Sequence, residues 1–231
     1  MTTSAEPKPA SRILIVDDHP LFRQGLRELI DREPGWSVCG EAADAAEATR
    51  LVGETKPGLV IVDISLAGTN GIDLIKSLSA NDAELPLLVV SMHDESLYAE
   101  RAIRAGALGY VMKHEPPKTF KTAIHRVLGG EMYLSEKMAT SLLAKLMRGG
   151  GEPEETPVSR LSDRELEVFR LLGQGKGTKQ IAQELNLTIA TINSFRARIK
   201  EKLGLKTSTE LLLNAIHWVQ EQAGHNSGMG K

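Results

Sequence analysis

Residues 12–18, with the sequence RILIVDD, join a short apolar segment to two acidic side chains. A short segment that is apolar at every position is typical of a strand buried on both faces, as in a parallel sheet. The same arrangement, each time ending in a polar side chain, returns at 59–63 (LVIVD), 86–91 (PLLVVS) and 109–113 (GYVMK). The chain therefore predicts a buried parallel sheet with polar residues at the ends of its strands.

Segments with helical spacing separate these strands. The predicted helices cover 20–31, 44–54, 72–78, 95–105 and 117–128, and residues 36–40 supply a fifth apolar strand. Alternating strands and helices, joined by right-handed crossovers, give a parallel sheet with helices on both faces. In such α/β folds, ligands bind beyond the carboxyl ends of the strands.

Charge divides the chain into two parts. The 231 residues carry 28 Lys and Arg against 30 Asp and Glu, a net charge of −2. Residues 1–158 hold 17 basic and 23 acidic side chains (net −6), whereas residues 159–231 hold 11 and 7 (net +4). An acidic part followed by a basic part indicates two domains with different partners.

Composition excludes several classes of protein. The single cysteine, Cys39, excludes an intramolecular disulfide framework and a cysteine-based zinc site, and the six histidines show no spacing typical of zinc ligands. No apolar segment approaches the roughly 20 residues of a membrane span. The first ten residues are polar and lack the apolar core of a secretory signal. We therefore expect a cytoplasmic protein with no membrane partner.

The basic part of the chain predicts a small all-α domain. Ser162 and Glu165 have the spacing of a capping box, and Thr178 is expected to cap a short helix. Four helices are predicted, starting near 163, 179, 189 and 208, with the last ending at about 222. Two central helices joined by a three- or four-residue turn suggest a helix-turn-helix. A connector helix at 135–147 and a Gly-rich acidic linker at 148–157 precede this domain.

The polar residues at the strand ends predict a phosphoryl-transfer site. Asp17, Asp18 and Asp63 converge at one sheet edge, where three carboxylates repel each other unless a cation neutralises them; oxygen ligands suit Mg²⁺. Ser91 adds a hydroxyl and Lys113 a positive charge. A metal site, a carboxylate nucleophile, a hydroxyl and a lysine are together what transfer of a phosphoryl group to an aspartate requires.

Simpler interpretations exist for each residue alone. A single Asp at a strand end is usually a helix cap or a solvated residue, Ser91 is suited to capping the next helix, and Lys113 to the surface. Five suitable residues at five suitable positions favour the phosphoacceptor site. An alternative function is a phosphatase or phosphotransferase of the haloacid-dehalogenase type, but those enzymes place a D-x-D pattern after the first strand, and this chain has Asp17-Asp18-His19.

Residues 16–19 (VDDH), Val62-Asp63, Val90-Ser91 and 109–113 (GYVMK) resemble the receiver domain of two-component response regulators. The resemblance implies a flavodoxin-like fold and phosphorylation of Asp63 by a partner histidine kinase. It further implies Mg²⁺ bound by Asp18 and Asp63, with help from Asp17 and the Ser65 carbonyl, and a switch formed by Ser91 and Tyr110. On activation the hydroxyl moves toward the phosphoryl group and the aromatic ring turns inward. One departure is Ala67, where the family usually has Pro.

The second domain resembles the LuxR-type DNA-binding domain, through 161–165 (LSDRE), 179–182 (KQIA), 191–192 (TI) and 202–204 (KLG). The resemblance places phosphates at Lys179 and Lys202, the DNA backbone near Thr191, and base edges at Asn193, Ser194 and Ala197, with Arg198 suited to either role. Thr178 is a further candidate contact. Departures at Asn193 and Phe195 mean that no DNA sequence preference can be carried over.

The whole chain is therefore identified as resembling the NarL/FixJ family of response regulators. The predicted domains are a receiver at 11–132, a connector helix and linker at 133–158, and a helix-turn-helix domain at 159–222. The resemblance implies a transcription factor that is not an enzyme, apart from its own phosphorylation and dephosphorylation at Asp63. It also implies a homodimer on promoter half-sites after phosphorylation. The remaining alternative is a basic domain that binds protein or RNA instead of DNA.

Overall fold

The computed structural model describes residues 11–66, 68–147 and 157–227. Predictions for the first ten residues, for Ala67 and for most of the Gly-rich linker lie outside these ranges. The chain forms two compact units, residues 1–147 and 148–231.

The first unit is built on a five-stranded parallel sheet. The strands follow the order β2-β1-β3-β6-β7 across the sheet, and every neighbouring pair is parallel. They are β1 (Ser11–Val16), β2 (Trp36–Ala42), β3 (Leu59–Val62), β6 (Leu87–Ser91) and β7 (Gly109–Met112). This order is that of a flavodoxin-like doubly wound sheet, which confirms the predicted fold class.

Helices cover both faces of the sheet. They are α1 (Pro20–Asp31), α2 (Ala45–Thr55), α3 (Gly71–Asn81), α4 (Glu95–Arg104) and α5 (Pro117–Leu128), followed by α6 (Glu136–Met147). Ile13 and Ile15 pack with Ile30 of α1 and Ile124 of α5 in one apolar core, while the alternate residue Leu14 is also fully buried. Burial of successive residues on β1 explains why the strands are apolar at every position.

The structure adds one element that the sequence analysis assigned to a loop. Between β3 and α3, β4 (Ser65–Leu66) pairs antiparallel with β5 (Thr69–Asn70). Strands of two residues are too short to show a period in the sequence. Gly68 has a φ of 74°, a left-handed conformation that glycine adopts without strain.

The second unit contains four helices, as predicted. After a short 3₁₀ helix (Pro157–Arg160) come α7 (Asp163–Gly173), α8 (Thr178–Glu184), α9 (Ile189–Leu203) and α10 (Ser208–Ser227). The capping box of Ser162 and Glu165 is present. Four residues join α8 to α9, which is the connection expected of a helix-turn-helix. No helix in the described parts of either unit is long and apolar enough to span a membrane.

Two local predictions for this unit are wrong. Thr178 does not cap α8, because the helix begins one residue earlier and Gly177 takes the cap position. The Gly177 amide instead donates to the side chain of Gln180 at 2.8 Å, which satisfies one of the free donors at this end. The last helix continues to Ser227, five residues beyond the predicted end at 222.

Candidate functional site

Backbone hydrogen bonds beyond the ends of the strands position the candidate residues. The Asp17 amide donates to the Ala42 carbonyl at 3.0 Å, and the Asp63 amide to the Val16 carbonyl at 2.9 Å. The Lys113 amide donates to the Ser91 carbonyl at 2.8 Å. The sheet pairing therefore extends into the site and brings residues from four strands to one edge.

Lys113 joins two of the carboxylates. Its Nζ lies 2.8 Å from Asp17 Oδ2 and 2.7 Å from Asp63 Oδ2. The Lys113, Asp17 and Asp63 side chains are 4%, 3% and 2% exposed, so these charges are almost completely removed from water. Buried charges persist only when they are paired, and one lysine neutralises one of the two carboxylates.

Burial raises the pKa of Asp63 from 3.8 to about 6. Loss of water around the side chain disfavours its charged form and raises the pKa. The positive charge of Lys113 lowers the pKa in part, and the negative charge of Asp17 raises it further. The Ser65 amide donates to Asp63 Oδ1 at 3.2 Å. The buried carboxylates of Asp63 and Asp17 thus share a single positive charge, that of Lys113. An added cation would balance the remaining negative charge.

Asp18 and His19 complete an acidic cluster. Ligand atoms of Asp17, Asp18, His19 and Asp63 all lie within 4.8 Å of one another. Asp18 Oδ1 is buried and has no hydrogen-bond partner among the residues that the structure describes. Carboxylate oxygens that converge on one point, one of them without a partner, fit the donor set of a divalent cation such as Mg²⁺.

His93 connects the other predicted site residues, and its part was missed in the sequence analysis. Its amide donates to Ser91 Oγ at 3.2 Å, and its carbonyl accepts from the Tyr110 hydroxyl at 2.7 Å. Its Nε2 lies 2.7 Å from Ser65 Oγ. His93 follows Ser91 by two residues, and that proximity in sequence was the available signal.

Tyr110 is turned into the protein. The residue is 1% exposed, and burial raises the pKa of its hydroxyl well above the ordinary value. This is the inward orientation that the resemblance to receiver domains assigns to the activated state. Ser91 is fully buried, and its Oγ accepts the hydrogen bond from the amide of His93, two residues further along the chain.

Phe22 is a second residue that the sequence analysis missed. Its ring centroid lies 4.7 Å from Lys113 Nζ, which is within the range of a cation–π contact. Phe22 also contacts Phe120 of α5, with 6.1 Å between ring centroids. The ring shields the ammonium group from water. Only the fold brings these residues together, so no local signal predicts the contact.

In the second unit, six of the eight predicted DNA contacts are exposed. Lys179 lies on α8, and the others lie along α9: Asn193, Ser194, Ala197, Arg198 and Lys202. Ile192 and Ile199 of α9 are fully buried. The helix therefore has an apolar face in the core and a polar face, which includes the basic residues Arg198 and Lys202, toward solvent, as a recognition helix requires.

Three of the predicted contacts bond to other side chains of their own unit. Thr178 Oγ1 accepts from Arg196 at 2.6 Å, and Thr191 Oγ1 lies 2.8 Å from Thr188 Oγ1. Lys202 Nζ lies 2.6 Å from Glu165 Oε2, and the Glu165 side chain is 3% exposed. In this structure the charge of Lys202 is therefore used to neutralise a buried glutamate.

This ion pair leads to a prediction about pH. Burial opposes ionisation of Glu165, but the bonds from Lys202 and Ser162 outweigh burial and hold the pKa below its ordinary value of 4.5. A lowered pKa stabilises the folded unit above pH 4.5, and this stability is lost as the pH falls through the folded pKa. We expect Glu165→Gln to lower the free energy of unfolding at pH 7 by about 1–2 kcal/mol.

The measurement is urea unfolding followed by Trp218 fluorescence, in a background with Trp36→Phe. The difference from wild type should shrink as the pH falls below 4.5 and through the folded pKa of Glu165, because a protonated Glu165 no longer forms the ion pair. Glu201→Gln, at an exposed position on α9, is the matched control and should change stability by less than about 0.5 kcal/mol. Equal stability of the Glu165→Gln variant and wild type at pH 7 would show that the ion pair contributes nothing.

Comparisons with known proteins identify a matching family for each of the two units. Residues 13–125 match the family described as the response regulator receiver domain, and residues 159–215 match bacterial regulatory proteins of the luxR family. The chain is 32% identical over 209 residues to the oxygen regulatory protein NreC of Staphylococcus aureus, a match that covers 89% of this chain and 96% of NreC.

Two solved structures are also similar. One is a two-component response regulator of the LuxR family from Aurantimonas sp., with 40% identity, a TM-score of 0.56, and coverage of 60% of this chain and 99% of that one. The other is RcsB from Salmonella enterica serovar Typhimurium bound to the promoter rprA in the presence of the phosphomimetic BeF₃⁻. It has 27% identity and a TM-score of 0.57, and the match covers 89% of this chain and 98% of RcsB.

Proposed function

Because this chain belongs to the two-component response regulators that join a receiver domain to a LuxR-type DNA-binding domain, we propose that it is a transcription factor controlled by phosphorylation of Asp63. The phosphoryl donor is a sensor histidine kinase, and the DNA target is a pair of promoter half-sites bound by a homodimer. The observation that carries the proposal is the buried Asp63 carboxylate between Lys113 and the Asp17–Asp18 pair. The protein would act in the cytoplasm, where its DNA lies.

The residues of the site have distinct parts in the transfer. An Asp63 oxygen forms a bond to phosphorus while the P–N bond of the phosphohistidine breaks, and the histidine of the kinase regains a proton. Lys113, held against Asp63 at 2.7 Å, compensates the negative charge of the phosphoryl oxygens. Mg²⁺, held by Asp17, Asp18, Asp63 and the Ser65 carbonyl, would supply the remaining positive charge.

The switch follows from the contacts of His93. Ser91 Oγ accepts from the His93 amide at 3.2 Å and also contacts the Tyr110 hydroxyl, and we infer that the Ser91 hydroxyl leaves these partners to turn toward a phosphoryl group on Asp63. That movement breaks the bond between Ser91 Oγ and the His93 amide, which is one of the bonds that hold the loop before α4. The Tyr110 hydroxyl still donates to the His93 carbonyl. A local change of charge thereby biases the packing of the loop before α4. The protein would have no other enzyme activity.

Incubation of the full chain with acetyl phosphate tests the proposal directly. With Mg²⁺ we expect one acid-labile phosphate, mapped to Asp63 after borohydride reduction, together with tighter binding to promoter DNA. With EDTA in place of Mg²⁺, both effects should disappear. No incorporation from acetyl phosphate or from any phosphorylated kinase would overturn the proposal. Steady hydrolysis of a small phosphate ester would instead favour the phosphatase alternative.

The exposed face of α9 and α8 supports a further prediction about DNA. Lys179 is exposed, so Lys179→Ala should weaken binding to every duplex and reduce the slope of log affinity against log salt by about one. Asn193→Ala is the contrasting variant, because a base contact changes the preferred sequence and leaves the salt slope unchanged. Gel retardation at several salt concentrations provides both quantities. Binding to RNA with equal affinity would favour the alternative in which DNA is not the partner.

A further inference from the structure

We propose that residues 133–135 form a strap that couples phosphorylation of Asp63 to the connector helix α6. The inference rests on the proposed function, because it concerns what the loop before α4 does once the phosphoryl group is in place. It goes further by naming the contact that carries the change, a hydrogen bond from the Ser135 amide to the Glu95 carboxylate at 3.0 Å. Phosphorylation breaks this bond and releases the first turn of α6.

The start of the strap lies on the outer edge of the parallel sheet. β7 is the last strand in the order of the sheet, and Tyr133 forms a parallel bridge with Gly109 of this strand. The Tyr133 amide donates to the Leu108 carbonyl at 2.9 Å, and the Tyr133 carbonyl accepts from the Tyr110 amide at 3.0 Å. These bonds satisfy backbone groups that an edge strand would otherwise leave unpaired. The strap is thereby fixed to the backbone of Tyr110, whose side chain takes part in the proposed switch.

Close packing at this edge holds the start of the strap in place. A Cβ at Gly109 would lie 3.0 Å from the Tyr133 carbonyl oxygen and 3.1 Å from Val127 Cγ2, so glycine leaves the room that the strap occupies. Tyr133 is partly buried against the apolar core, and the Arg126 guanidinium lies 5.9 Å from the centroid of its ring. Backbone bonds and side-chain packing therefore both oppose movement of Tyr133.

The end of the strap, Ser135, caps the N-terminus of α6. Its Oγ accepts from the Met138 amide at 3.1 Å, and its carbonyl accepts from the Ala139 amide at 2.9 Å. In a capping box, a Glu or Gln three residues after the cap accepts from the amide of the cap residue. α6 has Met138 at that position, and Glu95 of α4 supplies the acceptor instead. The first turn of α6 thus depends on another helix for one of its capping bonds.

The position of Glu95 connects this bond to the switch. Glu95 is the first residue of α4 and follows His93 by two residues. When Ser91 leaves the His93 amide, the loop before α4 loses a bond, and a displacement of the loop moves the first turn of α4 with it. Tyr133 remains bonded to β7, so the strap cannot follow. The bond between Glu95 and Ser135 is therefore the one that breaks.

Loss of this bond weakens the attachment of the whole connector helix. α6 packs against α4, and Met138 in its first turn is 5% exposed. A helix that loses a capping bond frays from that end, because its first amides lack partners. α6 ends at Met147, where the Gly-rich linker begins. Release of α6 therefore lengthens the segment of chain between the receiver and the DNA-binding domain.

The test is hydrogen–deuterium exchange of the full chain, measured by mass spectrometry on peptides from 133–147, with and without acetyl phosphate and Mg²⁺. In wild type, phosphorylation should speed exchange at the start of α6 at least about fivefold. Glu95→Ala should exchange faster than wild type by a similar factor without the donor, and phosphorylation should then add less than about twofold. Glu95→Gln keeps an acceptor oxygen and should restore the slow exchange and most of the response.

Glu136→Ala is the matched control, because it removes an exposed acidic residue from the first turn of α6 and leaves the bond between Ser135 and Glu95 in place. This variant should respond to phosphorylation as wild type does, and circular dichroism of each variant shows whether the fold is intact.

Three results would overturn the inference. They are unchanged exchange of α6 in wild type that carries phosphate on Asp63, a response of Glu95→Ala equal to that of wild type, and equal exchange of Glu95→Ala and wild type without the donor. Failure of the proposed function has a different signature, since Asp63 then gains no phosphate. The comparison of Glu95→Ala with wild type in the absence of donor still decides whether this bond holds α6.

Discussion

We expect replacement of Asp63 with Asn to abolish phosphate uptake from acetyl phosphate and from a partner kinase, because an amide cannot form the acyl phosphate bond. The loss should be complete within detection by gel mobility and by mass spectrometry of the intact chain. Promoter binding should then be the same with and without phosphoryl donor. Asp73→Asn, at an exposed position on α3, provides the matched control and should take up phosphate as wild type does.

The fold of the Asp63→Asn variant should be intact. Burial raises the pKa of Asp63 to about 6, so the ionised carboxylate destabilises the folded unit at pH 7 relative to an unburied aspartate. A neutral amide of the same shape removes that cost, and Lys113 retains Asp17 at 2.8 Å. We therefore expect a free energy of unfolding no lower than that of wild type in metal-free buffer. Residual acid-labile phosphate in this variant would mean that another residue accepts the phosphoryl group.

The strand ends show how far sequence alone predicts this site. Asp17, Asp63 and Ser91 each end or directly follow an apolar segment, and parallel strands must bring such residues to one edge. Placement of Lys113 within 3 Å of two carboxylates follows from the same rule. These predictions succeed because the alternation of strands and helices can be read from the sequence. That alternation makes the strands parallel, so their carboxyl ends lie at the same edge of the sheet.

The contacts that tune the site were not predictable in the same way. Phe22 contacts Lys113 from a helix that is distant in sequence, and the bond between Ser65 and His93 joins β4 to the loop before α4, 28 residues away. Lys202 is an exposed lysine, as its sequence suggests, but the fold also places its ammonium group against the buried Glu165. Such contacts depend on the relative placement of elements, for which a single sequence contains no periodic signal.

Gly71→Ala should destabilise the first unit by at least about 3 kcal/mol, because the first residue of α3 packs directly on the backbone of Asp63. A Cβ at Gly71 would lie 2.0 Å from the Asp63 carbonyl oxygen and 2.8 Å from Ile64 Cα. Backbone atoms cannot move aside as the end of a flexible side chain can. The Gly71 amide also donates to the Ile64 carbonyl at 2.8 Å, so α3 cannot shift away without losing that bond.

Urea unfolding followed by Trp36 fluorescence, in a background with Trp218→Phe, measures this effect in the first unit. Gly25→Ala, on α1, is the matched control, since a Cβ there meets nothing within 4 Å and alanine favours a helix by up to about 1 kcal/mol. At temperatures where the Gly71→Ala variant remains folded, its phosphate uptake should also fall, because the added methyl group displaces the Asp63 backbone. A loss below about 1 kcal/mol would contradict the close packing on which both expectations depend.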